Sequence, residues 1–200
     1  MKNNMDTNQT IKLNRAQKYF IDALLTLMLK KPYTEITVTE LSEYAQYDRR
    51  TFYRHFKSKD DILCLHCAAL LNEMAVIMNQ KGKLTPYSGF LSYFEFWSKH
   101  KDFLSLLNRH NLLSFLGDKQ EYLLYQYVGK LVHDNLPDKL SETSEFSQYA
   151  FFFTQGGLWY ALVFWIRTGM KQSPECLAKH IVNSFTDMAK YIVNNFAEMA

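Results

Sequence analysis

The 200 residues carry 48% hydrophobic and 22% charged side chains, which excludes a disordered chain and, with three cysteines, a disulfide-stapled miniprotein. Seven glycines and four prolines are too few for the tight turns of an all-β sandwich or barrel, so an all-α chain is expected. The net charge of +3 is mild but uneven: through Lys57 there are 10 Lys and Arg against 6 Asp and Glu, and beyond it 13 against 14, which directs any polyanionic partner to the N-terminal segment.

Residues 1–10 are polar and aperiodic and read as a flexible arm. From Ile11 to Lys30 apolar residues recur at Leu13, Ala16, Phe20, Leu24 and Leu27, the spacing of a helix with one buried stripe, and Pro32 stops it. Thr37 and Glu40 form a capping-box pattern that opens a short helix to about Ala45. Gln46-Tyr47 make a tight connection, Asp48 caps a third helix over about Arg49 to Phe56, and Ser58-Lys59-Asp60-Asp61 open a long fourth one that Gly82 and Pro86 end. Further helices are predicted over 87–99, 102–116, 119–135, 145–169 and 175–197, with turn signals at Gly117-Asp118, Leu136-Pro137-Asp138 and Ser173-Pro174. The expected organisation is an arm (1–10), a DNA-binding domain (11–71) and a helical regulatory and dimerisation domain (72–200).

The two short helices between Thr37 and Phe56 have the dimensions of a helix-turn-helix, whose second helix can enter a DNA major groove. At about 100° per residue, Arg49, Arg50, Tyr53, Arg54 and Lys57 share one side of that helix, while Phe52 and Phe56 lie on another and are expected to pack against Leu41, Ala45 and the first helix. Guanidinium groups pair with phosphates or with guanine N7 and O6, and a tyrosine hydroxyl can hold a phosphate oxygen. Thr37, Thr39 and Lys59 stand at helix N-termini on either flank, positioned to clamp the backbone.

The stretch from Asn14 to Leu63 resembles the DNA-binding domain of the TetR family of bacterial transcriptional regulators, above all in residues 37–45 (TVTELSEYA) and 51–63 (TFYRHFKSKDDIL). The resemblance implies DNA contacts from Thr37, Thr39, Arg49, Arg50, Thr51, Tyr53, His55 and Lys59. It departs from the family pattern at Gln46, Tyr47, Asp48 and Arg50, where a small or Gly residue, a small aliphatic, a Ser and often a Gly are usual. It also implies a C-terminal helical domain that binds an inducer and dimerises through its last two long helices. Phe151 to Glu175 is similar to the pattern of a branch frequent in Gram-positive bacteria. A cytoplasmic homodimer on a palindromic operator, released by a small-molecule inducer and usually repressing, is what the family resemblance leads one to expect.

Other signals are weaker. Cys64-Leu65-His66-Cys67 lies inside a predicted helix without a second Cys pair at zinc-ribbon spacing, so ordinary thiols are expected and no metal. No phosphate loop, nucleophile elbow or constellation of His and carboxylates suggests an enzyme or a cofactor. The charge-free stretch 146–166 is long enough to span a bilayer, yet its polar first half favours a helix buried by protein and no membrane. Trp97, Phe103, Tyr122, Tyr125, Phe152 and Trp159 are candidates to line an apolar ligand cavity, with Arg109, His110 or Gln155 as its polar handle. Two other classes fit the same text: a co-regulator of this fold acting through a protein partner, and a small-molecule carrier or membrane-attached bundle.

Overall fold

The computed structural model describes residues 11–82, 85–114, 116–117 and 145–196, of which 145–152 and 188–196 by backbone alone. The expected arm and the helix expected over 119–135, with Phe115, Tyr122 and Tyr125, lie outside the described residues, as does the side chain of Phe152. The architecture is all-α, a helix-turn-helix head followed by a helical C-terminal domain.

Helix α1 (Arg15–Lys30) starts four residues later than the apolar pattern suggests. Asn14 and Gln17 build a reciprocal capping box there, the Asn14 side chain accepting the Gln17 N–H at 2.9 Å and the Gln17 side chain accepting that of Asn14 at 3.0 Å. The chain before the cap runs elsewhere: the Ile11 N–H donates to the buried Asn72 side chain at 2.7 Å. Past Pro32 a single 3-10 turn (Tyr33–Glu35) leads to α2 (Val38–Ala45), α3 (Arg49–His55) and α4 (Lys59–Gln80). The caps fall where the sequence placed them: Thr37 with Glu40, Asp48, and Ser58 with Asp61.

Four rings lock these short helices together. Phe20 of α1 meets Phe52 and Phe56 edge-on, with centroids at 5.5 and 5.8 Å, and Tyr47 at 5.8 Å. Leu41 and Ala45 are buried in the same core, as their expected packing against Phe52 and Phe56 requires. Tyr47, large where the family is small, fills space against Phe20 and the edge of Tyr19.

The C-terminal domain comprises α5 (Pro86–Lys99), α6 (Lys101–Arg109), α7 (Glu145–Arg167) and α8 (Pro174–Phe196). Helix α5 packs along α8, with Phe90 stacked on Phe185, and α6 packs on α7. The predicted helix 102–116 breaks at Asn111, whose φ of +58° ends α6; Asn tolerates that left-handed conformation better than most residues. Gly117, read as a turn, is helical. A Cβ there would stand 2.9 Å from the Trp159 ring, so glycine lets that indole close on the chain.

Buried hydrophobic residues form one cluster reaching from Phe20 through α4 to Trp165 and Ile166. The domain boundary read between residues 71 and 72 falls inside α4, which is continuous. Among the described residues α4 is the helix long and apolar enough to cross a membrane, but its Ile62, Leu63, Cys67, Leu70, Leu71 and Met74 are covered by the rest of the chain.

Candidate nucleic-acid interface

The turn that presents α3 is made by Gln46, at φ +57°, with the Tyr47 N–H returning to the Ser42 carbonyl at 3.0 Å. This is a helix C-cap that usually wants glycine. Asp48 then receives the Thr51 N–H at 2.5 Å. That backbone donor, followed by the Thr51 hydroxyl, holds the Asp48 carboxyl below its usual range.

With Phe52 inserted in the core, α3 turns Arg49, Arg50, Tyr53 and Arg54 to solvent; Tyr53 is 54% exposed although its ring edge rests on Phe52 at 5.2 Å. None of these guanidiniums is in an ion pair among the described residues, where the two pairs are Lys31–Glu40 and Lys81–Glu95. Lys57, two residues past the end of that helix, is exposed as well. The result is a cationic face about two turns long, fixed in orientation by the aromatic lock behind it.

The other expected contacts stand differently. Thr39 is exposed. Thr37 is exposed too, but its hydroxyl donates to Glu40 at 2.8 Å while accepting the Glu40 N–H. Lys31 and then Thr37 pull the Glu40 carboxyl down to about 2. His55 is half-buried beside Phe56. Thr51 is only 9% exposed and serves the Asp48 cap.

Lys59 does not point outward as a free clamp. Its ammonium donates to the carbonyls of Tyr33, Thr34 and Ile36 at 2.6, 3.0 and 3.0 Å, using all three of its N–H bonds, and lies over the Tyr33 ring. Burial there lowers its pKa. Lys59 therefore ties the start of α4 to the bend between α1 and α2. Tyr33, not singled out by the sequence, donates its hydroxyl to Asp60 at 2.5 Å; burial, then this carboxylate, raises its pKa.

Of the proposed ligand residues, Trp97 is fully buried with its indole N–H unpartnered, and Phe103 is buried against the edge of His66 at 4.7 Å. Trp159 is half-buried on Gly117, and the Gln155 side-chain oxygen is buried and unpartnered. Arg109 is at the surface. Both ring nitrogens of His110 are spent on backbone groups of Met28 and Tyr33, so of the three polar handles Gln155 is the one left inside. No cluster of three metal-ligating side chains exists among the described residues, and Cys64 and Cys67 are thiols.

Residues 20–64 match the family described as bacterial regulatory proteins, tetR family, and residues 85–187 match a transcriptional regulator C-terminal region of the same group. The chain is 26% identical over 132 residues to the HTH-type transcriptional regulator YerO of Bacillus subtilis strain 168, a match covering 62% of this chain and 45% of that protein. It is 40% identical over 53 residues to YwcC, another HTH-type transcriptional regulator of that organism, covering 26% of this chain and 24% of YwcC. The chain thus matches less than half the length of either relative. Its fold is similar to that of the fatty acid degradation regulator FadR from Bacillus halodurans, with a TM-score of 0.62 at 18% identity over 85% of this chain and 94% of that one. An exposed cationic recognition helix on an aromatic platform, followed by a matching C-terminal region over half the chain, identifies the protein: it belongs to the TetR family of bacterial transcriptional regulators.

Proposed function

We propose that the protein is a cytoplasmic, homodimeric repressor that reads a palindromic operator with two copies of α3 and leaves it when a small molecule binds the C-terminal domain. The observation that carries this reading is the face of α3: Arg49, Arg50, Tyr53 and Arg54 exposed together, no carboxylate paired with them among the described residues, and Phe52 fixing their direction. Arg49 and Arg50 suit base edges, Tyr53 and Thr39 suit phosphates, and Thr37, Thr51 and Lys59 act mainly by holding the helices that carry the others.

The dimer has its own support. Along α7, Phe153, Tyr160 and Phe164 are 66, 73 and 70% exposed, and their spacings of seven and four place them on one side of a helix. Gly156 and Gly157 lie on the stretch between them, and among the described residues nothing stands within 4 Å of where a Cβ at either would be. A contiguous apolar stripe of this kind marks an association surface. Two-fold pairing through α7 would present two α3 helices and require an inverted-repeat operator.

On this reading the inducer sits in the C-terminal domain, where Trp97 and Gln155 each bury a polar atom without a partner among the described residues, and releases DNA by binding the non-operator arrangement more tightly. The test is selection of duplexes from a random pool by the full chain, then titration at several salt concentrations. An inverted repeat is expected, with an affinity that falls steeply with salt. Failure to enrich any duplex, with the protein folded, would favour the co-regulator that acts through a protein partner.

A further inference from the structure

Pro32 bends the chain between α1 and the 3-10 turn, and such a bend leaves backbone groups unpaired on both sides. The last carbonyls of α1 have no acceptor duty within the helix, and the first N–H groups of the next turn have no intrahelical acceptor. His110, 77 and 82 residues away at the end of α6, satisfies one of each: its Nδ1 accepts the Tyr33 N–H at 3.3 Å, and its Nε2 lies 2.7 Å from the Met28 carbonyl. With Nδ1 accepting, the ring's Nε2 is the donor that faces the Met28 carbonyl. One side chain of the C-terminal domain thereby closes the bend of the head.

The bend is held from its other side by α4. Lys59 binds the carbonyls of Tyr33, Thr34 and Ile36, and Asp60 accepts the Tyr33 hydroxyl. Ile36 runs directly into Thr37, the cap of α2, and Lys31 binds Glu40 of the same cap. Tyr33 is thus gripped at the end of α6 through its N–H and by α4 through its carbonyl and hydroxyl, four residues before Thr37, the cap that opens the helix pair carrying Arg49 and Arg50.

We propose that His110 is a positioning residue that couples the two domains: its imidazole lets the end of α6 set the Pro32 bend and so the presentation of α3, and a displacement of that end is felt as a change in DNA affinity. The coupling rests on the DNA-binding reading above; the clasp itself does not, and it can be measured without DNA. Coupling of this kind between two sites typically amounts to a factor of about 5 to 150.

The experiment uses the full chain and three variants, His110→Leu, His110→Gln and Tyr33→Phe. Leucine removes both ring bonds, whereas glutamine carries an acceptor and a donor on one side chain. Hydrogen exchange, read without DNA, should show the Tyr33 amide protected in the parent and at least about tenfold faster in His110→Leu. Affinity for the duplex selected by the parent should fall about tenfold in His110→Leu and recover to within about threefold in His110→Gln. The fold-losses of His110→Leu and Tyr33→Phe should not multiply in the double variant, because both act on one bend.

Unchanged DNA affinity in a folded His110→Leu, a glutamine variant no better than leucine, or multiplying losses would overturn the coupling. Should the leucine variant not fold, an unprotected Tyr33 amide in the parent, or a folded glutamine variant that binds DNA like the parent while that amide exchanges freely, would overturn it equally. A parent that binds no duplex but protects the Tyr33 amide, with protection lost on substitution of His110, would sink the DNA-binding reading and leave the clasp standing.

Discussion

The head and the C-terminal domain differ less in their caps, since Thr85 and Ser88 also box the start of α5, than in what they leave over after packing. In the head every helix from α1 to α4 begins with a side-chain cap, three of them reciprocal, and a cage of four aromatic rings fixes the angles between elements. Among its exposed residues, those on α3 make a cationic face. In the C-terminal domain the indole N–H of Trp97 and the side-chain oxygen of Gln155 are buried without partners, and α7 shows three large aromatic rings to solvent. The head has an unpartnered buried atom too, the Ser42 hydroxyl, and exposes Leu29, but the second region gathers three of its exposed rings on one helix, where they can meet another molecule.

The largest effect should come from the cage. Phe20→Ala removes the ring that touches Phe52, Phe56 and Tyr47, and should cost about 3–5 kcal/mol in a denaturant titration. A loss below about 1 kcal/mol would mean the head is not held as described.

Acid next separates the seam between the two regions, where His66 of α4 meets Phe103 of α6, from the caps of the head. His66 is buried beside Phe103, and burial, then the charge of His100, lowers its pKa to about 4. A depressed folded pKa means that the unfolded chain binds the proton first, so its contribution is complete above about 6.5 and is lost as pH falls towards 4. Stability should drop by up to about 3 kcal/mol over that range, and His66→Gln should flatten the drop. Glu40 in the head, held at about 2 by Lys31 and Thr37, follows the same sign at lower pH, its contribution lost between about 4.5 and 2. Glu40→Gln should remove a dependence confined to that window.

The stripe on α7 is tested by Phe164→Glu. A side chain so exposed contributes little within one subunit, so the unfolding midpoint of the monomer should hold while dimer affinity weakens by about 2 kcal/mol, some 30-fold, in sedimentation equilibrium. An unchanged dimer would move the association surface elsewhere.

The smallest change expected is a gain. Gln46 adopts φ +57° without being glycine, at a cost of about 1–2 kcal/mol, and Gln46→Gly gives back part of this as unfolded-state entropy. A net stabilisation of about 0.5 kcal/mol is expected from thermal unfolding.

The head was legible because its signals are local. Thr37 and Glu40, Asp48, and Ser58 and Asp61 act over three residues, and Phe52 and Phe56 share a face by simple periodicity. What escaped was long-range. Lys59 reads as a basic residue at a helix start, yet its partners are backbone carbonyls 23 to 26 residues earlier, and a carbonyl leaves no trace in the residue types. His110 looked like a ligand handle for the same reason. The start of α1 was misplaced because Leu13 continues the apolar rhythm, while the Asn14–Gln17 cap that overrides it sits inside that rhythm. The break at Asn111 was hidden by the apolar run on both sides, Leu106 and Leu107 before it and Leu112 and Leu113 after.

The bond from Ile11 to Asn72 carries a practical consequence for anyone shortening this protein. Asn72 sits near the middle of α4, 1% exposed, and draws a main-chain proton from a residue 61 positions earlier. Trimming the N-terminus back to the first helix deletes a partner of a carboxamide sealed in the interior, so a protease or a cloning choice that removes those few residues should soften the molecule at its waist.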